Sequence, residues 1–341
     1  MPTNRSFAMK KLFNPTNLLT TAPRFPRRQF LHLRLPTRML LMVLSTPLWA
    51  QTPAAPRSIF EDQPAETRAA YEAAAIRLWA DRAPLARGDA AQDTPLLYPV
   101  LPPKGAKPVG VVLVLPGGGY TYHAAHEAFP IAEHFRAAGL AAFVLQYRLR
   151  PYDSAVSLLD AQRAVRLLRA RAAEFGLDPA KIAAIGFSAG GHLAANLSTH
   201  ADDGRPGAAD PIERQSCRLQ SAMLIYPSLI NGNLKRDTAA DRALPAILKL
   251  DGLHRAVDAK TPPTFLLVGY DDNMTPYENC LAYTAKLHEA GVRFELHVLG
   301  TGGHGFGLGL RDPRLQVWPQ LAVNWLETCA FLPVPAATGP R

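Results

Sequence analysis

The chain has 341 residues, of which 48% are hydrophobic and 19% charged, enough to bury the core of one large globular domain or two small ones. Its net charge of +9 suggests a nucleic-acid or membrane-surface partner, but residues 1–50 contain eight basic side chains and no acidic one. The rest of the chain has 29 basic and 28 acidic residues. Composition therefore argues against a protein that binds polyanions.

The first 50 residues have the pattern of an export signal. A basic region precedes the apolar run at 39–44, and cleavage after Ala50 fits the preference for small residues. The segment RRQFL at 27–31 is similar to a twin-arginine motif, although an ordinary secretory signal whose basic region ends at Arg38 fits nearly as well. The apolar run is far shorter than the roughly 20 residues that span a bilayer. We therefore expect a periplasmic or secreted protein without a stable membrane anchor.

Behind the signal we expect a linker at 51–65, one folded domain at 66–330 and a disordered tail at 331–341. The spacing of the cysteines fits neither a metal-binding pattern nor an obvious disulfide framework. One disulfide with a free thiol is compatible with an oxidising compartment. Three buried thiols are the default expectation for Cys217, Cys280 and Cys329.

Short apolar runs that predict strands alternate with helical spacing of apolar residues through the rest of the chain. The run at 109–115 is apolar on both faces, which is typical of a central strand. The apolar residues of 154–175 recur every three or four positions, which predicts an amphipathic helix. Further strands are predicted at 96–100, 140–147, 182–185, 221–227, 264–269 and 293–299, and further helices at 66–80, 192–197, 275–291 and 314–327. This alternation indicates an α/β fold with a mostly parallel central sheet and helices on both faces.

The helix predicted at 275–291 starts with a capping signature. Thr275 fits the N-cap, Pro276 the first helical position, and Glu278 the third position of a capping box. The helix is expected to end at Gly291.

The segment IAAIGFSAGGHLAANL at 182–197 has the pattern of a nucleophile elbow, G-x-S-x-G. A tight turn from strand to helix leaves almost no room for side chains two residues before and after the serine, and Gly186 and Gly190 occupy those positions. Ser188 would then project from the end of the sheet at a helix N-terminus. The alternative is a Gly/Ser-rich turn that only joins two elements. An elbow also requires an oxyanion loop upstream and an acid followed by a histidine downstream.

A glycine-rich loop, LPGGGY at 115–120, directly follows the apolar strand at 109–115. The amides of Gly118 and Gly119, with the amide of Ala189 after the nucleophile, are the candidate oxyanion donors. Such a loop also suits a phosphate group. However, the spacing is not G-x-G-x-x-G, and no Gly-Lys-Ser/Thr follows.

The acid and the histidine follow the last two predicted strands. Asp271 and Asp272 come just after the strand at 264–269, and one of them is expected to orient the histidine, although adjacent aspartates often only solvate a turn. His304 lies in the glycine-rich loop GTGGHGFGLG after the strand at 293–299 and is the candidate general base. The order serine, acid, histidine is that of the α/β-hydrolase arrangement.

The motifs PGGGY, HE at 126–127, YRL at 147–149, GFSAGGHLAA and GYDDNMTPYENCLAYTAKLHEAG together resemble one family. Residues 95–325 are similar to the acetyl-xylan-esterase-like, or BD-FAE-like, carbohydrate esterases of the α/β-hydrolase superfamily. The resemblance implies an α/β-hydrolase fold and selects Asp272 as the acid, because the family's D-x-x-V-P pattern places the acid four residues before Pro276. Thr275 replaces the usual valine with little expected effect, because threonine keeps the branched shape.

The leading hypothesis is an exported serine esterase that removes acetyl or other short acyl groups from a carbohydrate, with the triad Ser188, Asp272 and His304. A serine peptidase of the prolyl-oligopeptidase type shares the triad, and a non-catalytic binding protein can share the fold. Neither a cofactor nor a metal site is expected, because His123 and His126 lack a third ligand at suitable spacing. Side chains beside the loops are equally candidates for sugar contact or for packing: Tyr120, His123 and Asn273.

Overall fold

An eight-stranded sheet organises the chain in a computed structural model that describes residues 58–103, 110–229 and 253–332. The strands within these ranges are β1 (Ile76–Arg77), β2 (Leu96–Val100), β3 (Val111–Leu115), β4 (Ala141–Gln146), β5 (Ile182–Phe187), β6 (Ser221–Ile225), β7 (Thr264–Gly269) and β8 (Phe294–Leu299). Their order across the sheet is β1-β2-β4-β3-β5-β6-β7-β8. Strand β2 pairs antiparallel with β1 and β4, and the pairs from β4 to β8 are parallel.

The helices of the described residues are α1 (Ala65–Ala73), α2 (Phe129–Ala137), α3 (Ser154–Ala170), α4 (Ala172–Phe175), α5 (Ala189–Thr199), α6 (Glu278–Glu289) and α7 (Trp318–Thr328). Short 3-10 turns lie at Ala91–Asp93, Ala125–Glu127, Pro211–Arg214 and Leu253–Ala256. The helix predicted at 154–175 is interrupted at Arg171, which separates α3 from α4. None of the described helices is sufficiently long and apolar to cross a bilayer.

The centre of the sheet is built from strands that are apolar on both faces. Every residue of β3 and β5 is buried, as expected where a parallel sheet is covered on both sides. The register aligns Leu115 at the end of β3 with Gly186 near the end of β5. It also aligns Gly269 at the end of β7 with Leu299 at the end of β8. The loops that follow these four strands therefore meet at one edge of the sheet.

The folded domain is larger than the sequence predicted. Ile59 and Phe60 are buried, and the Phe60 ring stacks on Phe129 at 5.0 Å, so the predicted linker at 51–65 is wrong from Ile59 onward. The helix predicted at 66–80 ends at Ala73, because β1 begins three residues later. At the other end Phe331 is buried in the core, so the domain extends past residue 330. The predicted export signal and residues 333–341 lie outside the described residues.

The three cysteines are buried and unbridged, which agrees with the default expectation for Cys217, Cys280 and Cys329. Among the described residues, no group of three or more His, Cys, Asp or Glu side chains is arranged to hold a metal ion.

Candidate active site

The turn from β5 into α5 places Ser188 at the N-cap of the helix with φ of +52° and ψ of −114°. A non-glycine residue at positive φ is strained, and such strain is characteristic of functional turns. A Cβ added at Gly186 would overlap the carbonyl oxygen of Gly190, and one added at Gly190 would overlap that of Leu115. The close approach of β3, β5 and α5 therefore explains why both positions are glycine.

The structure brings Ser188, His304 and Asp272 together in one chain of hydrogen bonds. Ser188 Oγ lies 2.8 Å from His304 Nε2. On the other side of the ring, His304 Nδ1 lies 2.8 Å from Asp272 Oδ2. The three residues come from loops after β5, β8 and β7, whose carboxyl ends share one edge of the sheet. Each side chain stands in the position that a serine–histidine–acid triad requires.

Asp272 is 3% exposed, and its carboxylate accepts several hydrogen bonds. Oδ1 accepts from the amides of Met274 at 2.9 Å and Thr275 at 2.8 Å. Burial alone would raise the pKa of Asp272, but the hydrogen bonds from His304 and Thr275 outweigh it and hold the pKa below its ordinary value. The carboxylate is therefore ionised at neutral pH and is able to stabilise a positively charged imidazole.

The predicted capping role of Thr275 is wrong. Helix α6 begins at Glu278, its N-cap is Tyr277, and no side chain caps it. The Thr275 hydroxyl instead lies 2.8 Å from Asp272 Oδ2, 3.0 Å from the Tyr226 carbonyl oxygen and 3.1 Å from His304 Nδ1. The hydroxyl group thus belongs to the acid's surroundings, and a valine could not make these contacts.

Asp271, which precedes Asp272, has a different structural role. Asp271 Oδ1 accepts a hydrogen bond from the Gly303 amide at 2.8 Å and so holds the glycine-rich loop that carries His304.

The glycine-rich loop after β3 turns beside the nucleophile. Gly118 and Gly119 have φ of +116° and +62°. Within the described ranges, the amides of Gly118, Gly119 and Ala189 donate no hydrogen bond, so they are available to a ligand. The Gly117 amide is already used, because it donates to Glu127 Oε2 at 2.8 Å.

Buried side chains hold this loop in place. The Tyr147 hydroxyl donates to the Pro116 carbonyl oxygen. The Tyr120 hydroxyl lies 2.8 Å from His192 Nδ1 on α5. Of the three residues considered for sugar contact, Tyr120 and His123 are buried, with the His123 ring 4.6 Å from Tyr147, and only Asn273 is exposed. Packing is therefore the role that fits Tyr120 and His123.

Sequence reasoning missed Glu127 and Tyr226, which lie next to the triad. The HE pair at 126–127 contributed to the family resemblance but received no role. Tyr226 follows β6 and carried no motif that marks it. Its ring packs against His304 with 5.1 Å between ring centroids.

Comparisons with known proteins bear on the family and the fold. The BD-FAE family model matches residues 98–224, and that of the prolyl oligopeptidase family matches residues 231–330. An acetyl ester-xyloside bifunctional hydrolase from Caldicellulosiruptor lactoaceticus superimposes with a TM-score of 0.70 and 36% identity, over 76% of this chain and 97% of that one. The chain belongs to the acetylxylan-esterase-like group of α/β-hydrolases. The family resemblance and the α/β-hydrolase fold are thereby confirmed.

Curated relatives of this acetylxylan-esterase-like chain include larger proteins. Endo-1,4-beta-xylanase B of Butyrivibrio fibrisolvens is 32% identical over 57% of this chain and 32% of its own length. An acetylxylan esterase of Xylanibacter ruminicola is 29% identical over 66% of this chain and 46% of its own length. The chain thus spans a third to about half of the length of these relatives.

Proposed function

We propose that this protein is a serine esterase that hydrolyses acetyl or other short acyl esters on xylan-like carbohydrate through an acyl-enzyme. The observation that carries the proposal is the hydrogen-bond chain from Ser188 through His304 to Asp272, with both links at 2.8 Å. These three side chains lie beside backbone amides that have no partner among the described residues, the combination that acyl transfer requires.

In the proposed first step, the Ser188 hydroxyl donates its proton to His304 Nε2 as Oγ attacks the ester carbonyl carbon. Asp272 accepts the Nδ1 hydrogen, fixes the tautomer and stabilises the imidazolium that forms. His304 then returns the proton to the leaving alcohol, which leaves the acyl group on Ser188. A water molecule, activated by the same imidazole, releases the acid in the second half of the reaction.

The tetrahedral intermediate carries a negative charge on the former carbonyl oxygen. The amides of Gly118, Gly119 and Ala189 are the proposed donors to this oxygen, each contributing roughly 3–4 kcal/mol to lowering the barrier. The last of these amides also stands at the N-terminus of α5, where the helix dipole favours negative charge.

The proposed substrate class is based on the names of two relatives. One is named an acetylxylan esterase and another an acetyl ester-xyloside bifunctional hydrolase. Both names join an acetyl ester to a xylose-based carbohydrate, which supports the same class of substrate here. The expected partner is accordingly a small or oligosaccharide ester.

The deciding experiment compares wild type with Ser188→Ala on p-nitrophenyl esters from acetate to octanoate and on acetylated xylan. We expect wild-type turnover that is fastest with acetate and falls with chain length. In Ser188→Ala, kcat should drop by about 10⁴-fold or more, since the covalent route is lost. A Ser188→Ala protein as active as wild type would reject the mechanism.

A peptidase is the second candidate, because the prolyl oligopeptidase family model matches residues 231–330, which include Asp272 and His304. Proline-containing peptide p-nitroanilides, added to the same panel, separate the two functions. Faster cleavage of the anilides than of any ester would favour the peptidase.

Export to the periplasm or outside the cell is a further part of the proposal, based on the signal-like pattern of residues 1–50. N-terminal sequencing of the protein recovered from each cell fraction tests it. A mature protein beginning at Gln51 outside the cytoplasm is the expected result.

A further inference from the structure

Two loops carry the proposed catalytic groups, and a buried pair of side chains joins them. The oxyanion loop comprises residues 116–120, and the histidine loop comprises residues 300–309. Glu127 and Tyr226 lie between them and are 2% and 0% exposed. Neither residue belongs to the proposed triad or to the oxyanion donors.

Glu127 holds the oxyanion loop. It lies in the 3-10 turn Ala125–Glu127 before α2, and its Oε2 accepts the hydrogen bond from the Gly117 amide at 2.8 Å. A Cβ added at Gly117 would stand 2.6 Å from this carboxylate oxygen and 3.0 Å from Ser188 Cβ. The Gly117 backbone is therefore enclosed between the carboxylate and the nucleophile, so a shift of Glu127 would shift the loop relative to Ser188.

Tyr226 connects the same carboxylate to the histidine loop. Its hydroxyl donates to Glu127 Oε1 at 2.8 Å and accepts from the Gly307 amide at 3.0 Å. Its ring packs edge-on against His304, and its carbonyl oxygen lies 3.0 Å from the Thr275 hydroxyl oxygen. One residue thus contacts the base, the base's loop and the neighbour of the acid.

Burying Glu127 and Tyr226 costs more free energy than burying an apolar pair of the same shape. Burial raises the pKa of Glu127, although the hydrogen bond from Tyr226 works in the opposite direction. Among the described residues, the ion-pair partner of the carboxylate is His126 at 3.6 Å, and this histidine is half exposed. A fold that needed only packing here would be served as well by two apolar side chains.

We propose that Glu127 and Tyr226 form a buried clamp that fixes the oxyanion loop relative to the histidine loop, and that they act as positioning residues in ester hydrolysis. The inference rests on the proposed function. Oxyanion donors and the base must both meet the reacting ester within fractions of an ångström, and misplacement by about 1 Å costs on the order of a hundredfold in rate. The clamp joins the two groups by a path of three hydrogen bonds: Gly117 to Glu127, Tyr226 to Glu127 and Gly307 to Tyr226.

The test compares Tyr226→Phe, Glu127→Gln and the double variant in turnover of p-nitrophenyl acetate. Tyr226→Phe removes the hydroxyl that joins Glu127 to Gly307. Glu127→Gln keeps an oxygen for the Gly117 amide but presents an NH₂ group to the Tyr226 hydroxyl. We expect each single variant to lower kcat about tenfold to a hundredfold with KM changed less than about threefold, because geometry in the transition state is lost. The double variant should resemble the worse single variant, because the two act as one unit.

Tyr152→Phe is the matched control. The Tyr152 hydroxyl donates to the Asp93 carboxylate and accepts from the Arg87 amide at 2.7 Å, the same arrangement away from the triad. Its removal should lower the thermal midpoint to a similar extent and leave kcat unchanged. A loss of kcat in Tyr152→Phe equal to that in Tyr226→Phe would overturn the clamp, because the effect would then follow general stability.

A second readout separates the clamp from the proposed function. The rate at which a fluorophosphonate probe labels Ser188 reports activation of the nucleophile without any natural substrate. Suppose that wild type shows no ester turnover but is labelled rapidly, and that labelling slows in both single variants. Esterase activity would then be rejected and the clamp retained. If wild type hydrolyses the ester, and both folded single variants keep kcat and the labelling rate within about twofold of wild type, the clamp is overturned. Multiplicative effects in the double variant would also overturn it. Glu127→Gln preserves side-chain shape. It therefore still tests the clamp if Tyr226→Phe reduces the folded fraction.

Discussion

The acid of the proposed triad is supported by a hydroxyl group as well as by the histidine. Thr275 places Oγ1 2.8 Å from Asp272 Oδ2 and 3.0 Å from the Tyr226 carbonyl oxygen. A threonine and a valine have nearly the same shape, so only the hydroxyl distinguishes them here. Whether shape or hydroxyl matters at this position is therefore directly testable.

We expect Thr275→Val to lower kcat for p-nitrophenyl acetate by about three- to tenfold, or roughly 0.7–1.4 kcal/mol of barrier. This is a part of the roughly 1.5–3 kcal/mol that a hydrogen bond to a charged group contributes to stability. KM should change little, because the residue lies behind the acid and away from the ester. Steady-state kinetics at pH 7.5 provide the measurement. Thr275→Ser keeps the hydroxyl and loses the methyl group, and it should retain most of the activity. The opposite ranking, with valine better than serine, would mean that shape alone is required.

Sequence reasoning located the side chains that the structure brings together, but it did not identify those that hold them. Ser188, His304 and the aspartate pair at 271–272 follow strands whose order along the chain predicts a common sheet edge. The choice of Asp272 over Asp271 depends on the family resemblance. Glu127 and Tyr226 are 99 positions apart and meet only through the sheet. Such tertiary partners leave no local pattern. For the same reason the local sequence predicts a helix cap at Thr275, whose hydroxyl instead contacts Asp272.

At the scale of elements, the approach of α5 to the end of β3 depends on one glycine. A Cβ at Gly190 would overlap the carbonyl oxygens of Leu115 and Pro116, which are backbone atoms and cannot rotate away. Helix α5 would have to move away from β3, and Ser188 would move with it. The elbow and the oxyanion loop are thus one packed unit.

Gly190→Ala should therefore destabilise the protein by about 3 kcal/mol, in the range of a severe overpacking defect, and abolish most ester turnover. Urea unfolding followed by circular dichroism measures the loss. Gly207→Ala is the matched control, because an added Cβ there meets open space. Equal urea midpoints for the two variants would show that α5 adjusts freely and would contradict the packing argument.

A continuous apolar run predicts a central strand, whereas an element that lacks a capping signal or has only two residues is missed. Strand β7 was predicted at its observed bounds, since all six of its residues are buried. Helix α2 was missed because its N-cap is Ala128, which makes no side-chain cap. Strand β1 has two residues and carries no periodicity. Composition marked 51–65 as a linker, but Phe60 is buried through aromatic contacts with Tyr98 and Phe129 that only the fold creates.

At the scale of the whole molecule, buried neutral histidines connect stability to pH. Burial lowers the pKa of His123 to about 3 and that of His192 to about 4. Nε2 of each ring is buried and has no partner among the described residues, so a proton there gains no hydrogen bond. In the unfolded chain both rings titrate near about 6.5. Below that pH the unfolded state binds more protons than the folded state, and folding stability falls as pH decreases.

We therefore expect the two histidines to lower the free energy of unfolding by about 2 kcal/mol each between pH 7.5 and pH 5, while Asp160, whose pKa burial raises to about 6, opposes part of this drop. Urea titrations at half-unit pH steps measure this slope. His192→Gln removes one of these two histidines and should make the drop smaller by about 2 kcal/mol. His288→Gln, at an exposed position on α6, is the control for replacing a histidine by glutamine. An equal slope in His192→Gln and wild type would mean that the His192 ring accepts a proton in the folded state, which contradicts the burial of its Nε2.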